Sequence, residues 1–111
     1  MISHRNIAFY DPERKGIFIH HDQLKDSPFD IGDRFSLRKG KRELFALTIV
    51  KDATGTIFYD KKGIFIERTR KIDILLGGIF SEYVIYIEPE IPDTIKIKAL
   101  EMVVDKSQKW F

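Results

Sequence analysis

The chain has no cysteine, which excludes disulfide scaffolds, thiolate metal sites, iron–sulfur clusters and cysteine nucleophiles together. The same absence suits a reducing compartment. No stretch approaches the roughly 20 apolar residues that a membrane helix needs. The opening residues, Met1-Ile2-Ser3-His4-Arg5-Asn6, lack the apolar centre of a secretory signal. A cytoplasmic protein without a membrane partner is expected. An excess of one charge is missing too: 19 basic residues face 17 acidic ones, and a net +2 names no partner. Catalytic signatures are equally scarce. None of the five serines (Ser3, Ser27, Ser36, Ser81, Ser107) lies in a Gly-x-Ser-x-Gly elbow, and no Gly-Ser pair offers pyruvoyl-type self-cleavage. Gly77-Gly78 is not followed by Lys-Ser/Thr, and no Gly-x-Gly-x-x-Gly occurs, so phosphate cradles are excluded. Carboxylates such as Glu88 and Glu90 need a shaped cleft before they act as acid and base. Neither catalytic residues nor a cofactor are expected.

What the chain does contain is sheet-forming side chain. Nine Phe, four Tyr and many Ile pack well on a pleated surface, and 43% hydrophobic residues over 111 positions suffice for one core and one domain, 1–111. Strands are predicted near 5–10, 16–21, 34–38, 44–50, 56–60, 63–67, 82–88 and 94–100. Asp11 to Gly16 and Asp52-Ala53-Thr54-Gly55 carry turn chemistry, Lys39-Gly40-Lys41 reads as a hairpin tip, and Pro89 and Pro92 bracket a loop. Residues 22–28 suit one helical turn capped by Asp22 and closed by Pro28. Residues 68–76 suit about two turns, with Ile72, Leu75 and Leu76 on one face and Gly77 as the stop. The tail 101–111 reads either as a short helix or as an end that docks Trp110 and Phe111. The fold class is all-β: a small barrel or sandwich with one or two short helices.

An internal repeat organises these elements. Phe9-Tyr10-Asp11 recurs as Phe58-Tyr59-Asp60, and Lys15-Gly16-Ile17-Phe18-Ile19 recurs as Lys62-Gly63-Ile64-Phe65-Ile66, eight identities with two fewer residues in the second turn. Each copy reads as a β-hairpin. Ile31-Gly32-Asp33 and Leu76-Gly77-Gly78 then precede two further strands in each copy. Units of about 5–50 and 53–100, each four strands with a helical turn between the second and third, predict a pseudo-twofold barrel.

A strand, Asp-x-x-Gly, an Ile-rich strand, a short helix, Ile-Gly-Asp and two more strands resemble the swapped-hairpin unit of the AbrB/MazE/SpoVT transition-regulator superfamily. The matching residues are Asp60-Lys61-Lys62-Gly63-Ile64-Phe65-Ile66, Gly16-Ile17-Phe18-Ile19 and Ile31-Gly32-Asp33. The resemblance implies an intertwined barrel, which MraZ-like tandem copies close within one chain, and binding to double-stranded DNA. This sequence departs from that family by placing Ile17 and Ile64 where Arg usually follows the turn Gly. His20 and Glu67 stand where Pro usually follows the second strand.

Ten of the 19 basic residues fall in two stretches. Arg34, Arg38, Lys39, Lys41 and Arg42 occupy 34–42 without an acid; Lys61, Lys62, Arg68, Arg70 and Lys71 occupy 61–71 against Glu67 alone. Glu88, Glu90 and Asp93 gather near the proline loop. A basic face on a nearly neutral chain follows, with Arg14, Lys15, Lys61, Lys62, Arg68, Arg70 and Lys71 as candidate DNA contacts. The competing account is that such cations keep exposed sheet edges from pairing. The aromatics alternate as core residues do, so a base-stacking surface for single strands or RNA is not expected. A pairing of Ile7 with Ile19 would bring His4, His20 and Asp22 to one face as a metal site, provided the register holds. The functional expectation is a small, dimeric, DNA-binding regulator. The alternative is a non-catalytic barrel that binds a protein or small ligand, with Trp110, Phe111, Tyr83 and Tyr86 as anchors.

Overall fold

Two aspartates set the hairpins that open each half of the chain. The Asp11 carboxylate accepts the backbone N–H groups of Glu13 (3.0 Å) and Arg14 (3.2 Å), and that of Asp60 accepts those of Lys62 (2.8 Å) and Gly63 (3.1 Å). Such side-chain bonds satisfy turn amides that the strands leave over. A computed structural model describes residues 7–38 and 46–100. Its strands are β1 (Ile7–Asp11), β2 (Gly16–His20), β3 (Arg34–Leu37), β4 (Ala46–Lys51), β5 (Ile57–Asp60), β6 (Gly63–Glu67), β7 (Glu82–Tyr86) and β8 (Thr94–Ala99). Two helices, α1 (His21–Leu24) and α2 (Arg70–Leu76), follow β2 and β6. The Lys39-Gly40-Lys41 tip, His4, Arg42 and the tail from Glu101 lie outside the described residues.

The strands close into one antiparallel barrel in the order β1-β2-β6-β5-β3-β4-β8-β7, with β7 returning to β1. Neither opening hairpin is flanked by its own half: β1 bonds to β7, and β5 bonds to β3. The pairing repeats residue for residue. Phe9 faces Glu82 as Phe58 faces Arg34. Tyr10 faces Ile17 as Tyr59 faces Ile64, and Phe35 faces Lys51 as Tyr83 faces Ala99. The two halves meet where Phe18 faces Phe65 and where Thr48 faces Lys96. These two junctions mark the pseudo-twofold axis of a barrel built from two similar four-stranded units.

Branched side chains fill the interior. Ile17, Ile19, Ile64, Ile66, Leu47, Ile49, Ile95 and Ile97 are all buried to 1% exposure or less, each stabilising the fold by roughly 1.5–3 kcal/mol. Leu24 of α1 and Ile72 and Leu76 of α2 join this core, and Leu75 packs against it half-buried. The Thr69 hydroxyl caps α2 by accepting the Ile72 N–H, and Gly77 ends it at φ 77°. The first helix differs from its sequence reading. It starts one residue earlier, ends at Leu24, and is capped by His20, whose Nδ1 accepts the Asp22 N–H at 3.0 Å. Ser27 closes the segment by donating to the Leu24 carbonyl, so Pro28 has no helix to stop. The strand expected at 82–88 ends at Tyr86.

Gly63 is the tightest point of the second hairpin. It sits at φ 141°, and an added Cβ would overlap the Ile19 carbonyl oxygen on the neighbouring strand. Gly32 also has positive φ, at 106°, but with nothing near its missing side chain. Gly63→Ala should therefore cost more than Gly32→Ala, with strain alone worth about 1–3 kcal/mol at either position. Urea unfolding of the two variants checks this; equal losses would mean that strain and not the overlap governs Gly63.

Candidate nucleic-acid interface

The predicted cations are all exposed, but the barrel divides them. β2 and β6 run antiparallel, so the turn after β1 lies beside the end of β6, and the turn after β5 lies beside the end of β2. The Arg68 N–H donates to the Lys15 carbonyl (2.9 Å), and the His21 N–H donates to that of Lys62 (2.8 Å). Arg14, Lys15 and Arg68 thus share one end of the ribbon, with Arg70 and Lys71 following in α2. Lys61 and Lys62 share the other end with His20 and His21. Gly16 to His20 spans about 14 Å at the usual strand rise. Arg68 is already engaged: its Nε donates to both Asp73 carboxylate oxygens at 3.1 Å. Asp73 and then the Tyr10 hydroxyl hold this guanidinium firmly in its charged form.

Between the two ends lies a feature that sequence reasoning assigned to the wrong side. Isoleucines at 17, 19, 64 and 66 point inward, which turns the intervening phenylalanines outward. Phe9 pairs with Phe18 and Phe18 with Phe65. The register that joins Tyr59 to Ile64 carries Phe58 to the level of Phe65. The result is one row of aromatic side chains across β1, β2, β6 and β5, on the outer surface of the barrel. Phe9 is 54% exposed and Phe58 40%, while Phe18 and Phe65 are half-buried.

Arginines stack on this row. The Arg14 guanidinium lies 4.1 Å from the centroid of Phe65 and 5.4 Å from that of Phe18. Arg34 lies 4.9 Å from that of Phe58. Among the described residues neither arginine is paired with a carboxylate. Phe65 fits because it covers Gly16, where an added Cβ would overlap its ring. Arg14 stands two residues before Gly16, where the repeat places Lys61 in the second turn.

No family model, curated protein or solved structure matches this chain. Among the described residues, no helix is long and apolar enough to cross a membrane.

The register also removes the geometry behind the metal reading. Phe9 pairs with Phe18, one residue away from the pairing that would align Ile7 with Ile19. Asp22 leaves the strand altogether for α1. His20 and Asp22 do meet, at 3.6 Å, but with side chains 58% and 70% exposed and the imidazole committed to the helix cap. His4 lies outside the described residues. Among those described, no three His, Asp or Glu side chains gather as a metal site.

Of the residues suggested as partner anchors, Tyr83 is fully buried and its hydroxyl accepts the Phe80 N–H at 2.9 Å. Tyr86 is half-buried, and Trp110 and Phe111 lie outside the described residues. A groove of about 640 Å³ opens elsewhere, between the segment after α1 and the β7–β8 loop. Phe29, Ile87 and Ile91 line it beside the acids Asp26, Glu88 and Asp93.

Burial raises the Tyr83 phenol above its ordinary pKa of 10.0. Burial, followed by the negative charges of Asp30 and Asp33, does the same to Tyr59, which shares a 2.6 Å hydrogen bond with His21 Nδ1. Both phenols ionise more readily in the unfolded chain. Their contribution to stability is thus complete below pH 10 and falls as pH rises through the higher folded values. An alkaline titration by ultraviolet difference absorbance should show Tyr59 and Tyr83 ionising late, together with unfolding. Ionisation of both near the ordinary value would contradict the burial.

Proposed function

We propose that the protein is a small cytoplasmic nucleic-acid-binding module of the transcription-regulator type. It is non-catalytic and dimeric, like the swapped-hairpin regulators it resembles. The observation that carries this reading is the pair of turns, each bearing basic side chains, at the two ends of the β2–β6 ribbon on the outside of the barrel. Lys15, Lys61 and Lys62 have no carboxylate partner among the described residues, and they stand about one ribbon length apart. Cations so placed can each neutralise a phosphate of the same nucleic acid, releasing counterions and giving affinity without sequence preference. Arg68, tied to Asp73, contributes position more than free charge.

The groove beside the β7–β8 loop supports a second reading, a barrel that captures a basic, partly apolar segment of another protein. Its acidic rim of Asp26, Glu88 and Asp93 has the sign opposite to that of the two turns.

Titration of fluorescent random-sequence duplex DNA at about 50 and 200 mM salt separates the two readings. Binding should weaken steeply with salt. A Lys15→Glu, Lys61→Glu, Lys62→Glu variant should lose most of it on every sequence alike while keeping the circular dichroism of the native barrel. Absence of binding at the lower salt would reject duplex DNA as the ligand. Loss of a captured partner on Glu88→Lys with Asp93→Lys would then favour the groove.

A further inference from the structure

The aromatic row has two unlike ends. Glu82 stands beside Phe9 where the equivalent residue beside Phe58 is Arg34. Arg14 covers Phe65, and the equivalent position in the second turn is a lysine, Lys61, without the planar guanidinium. A row of rings alone would be an apolar patch with no stated occupant. Here it is paired, toward Phe65 and Phe58, with two planar guanidinium groups that lack carboxylate partners among the described residues. Rings at strand spacing with arginines beside them match the needs of an unpaired polynucleotide: π-faces for successive bases and cations for the linking phosphates. A base can also stack on the plane of an arginine that already lies over a ring. Duplex DNA has no use for such rings, because its bases are stacked on one another.

We infer that the Phe9–Phe18–Phe65–Phe58 row is a stacking platform for single-stranded nucleic acid, with Arg14 and Arg34 holding its phosphates. Phe58 and Phe9 offer the open ring surface, and Lys15, Lys61 and Lys62 guide the strand on either side. The polarity of the row places the phosphates toward Arg34 and leaves the Glu82 end to a base alone. This inference rests on the nucleic-acid reading above and narrows its ligand from duplex to unpaired strand.

The test is fluorescence anisotropy of the full chain with labelled oligo(dT) and oligo(rU) of about 15 nucleotides, a length within known single-strand site sizes, and with a duplex of equal length. The single strands should bind more tightly than the duplex. Phe58→Ala and Phe9→Ala should each weaken them by about tenfold, and Phe58→Trp should preserve binding. Arg34→Ala should lower both affinity and salt dependence. All four changes are at exposed positions, and circular dichroism with sedimentation velocity verifies fold and assembly. Binding of either polymer that is tighter than that of the duplex and weakened by the Phe variants supports the proposal, and a preference between them identifies DNA or RNA as the ligand. Equal binding of duplex and single strand with the Phe variants unaffected overturns the platform but leaves the nucleic-acid reading standing. Absence of binding to all three probes overturns both. Dissociation of a dimer by Phe58→Ala with unchanged oligonucleotide affinity also overturns it, making the row a contact between copies.

Discussion

Everything in this barrel depends on the pairing of β2 with β6, where Phe18 of one half faces Phe65 of the other. Without it each half has an opening hairpin whose outer strand, β1 or β5, finds its second neighbour only in the opposite half. A lone unit would be two separate hairpins with four unpaired edges and a half-buried set of isoleucines, which is unstable in water and prone to pairing with other chains. The duplicated chain resolves both problems at once by closing on itself. The cost of ordering the connection between halves is moderate, since loop-closure entropy rises slowly with length.

That same pairing produces the candidate site. Closure turns the Ile side chains of Gly-Ile-Phe-Ile inward in both copies and so leaves both Phe outward, in register with Phe9 and Phe58. Departures from symmetry then give the row its chemistry. Arg14 lies over Phe65 at the position that Lys61 takes in the second copy, and Arg34 and Glu82 fill equivalent positions with opposite charge. Duplication supplied the scaffold, while local differences between the copies supply direction.

The repeat, the turns and the strand order along the chain were legible because each rests on local chemistry. Asp11 and Asp60 each open a short charged turn that ends at Gly16 or Gly63, and the carboxylates do bond the turn amides as their type predicts. Thr69 and Gly77 bracket α2 for equally local reasons. The start of α1 was misread because a histidine took the capping role expected of Asp22. The exposed position of the basic side chains was readable from their placement in turns. Their division between opposite ends was not, because it follows from the antiparallel β2–β6 pairing of residues far apart in sequence.

The sequence by itself determined that the chain is a duplicated sheet protein with charged turns, since period-two alternation, turn residues and eight repeated identities are properties of neighbouring positions. Which face of each strand is the core was decided only by the tertiary structure. In Gly-Ile-Phe-Ile both faces are apolar, so alternation alone leaves inside and outside interchangeable, and a one-residue slip exchanges them. The Phe9–Phe18 pairing, fixed by barrel closure, removed that ambiguity. It removed the alignment that the metal set required and placed four aromatic rings on the surface, because register is a relation between strands and no single strand carries it.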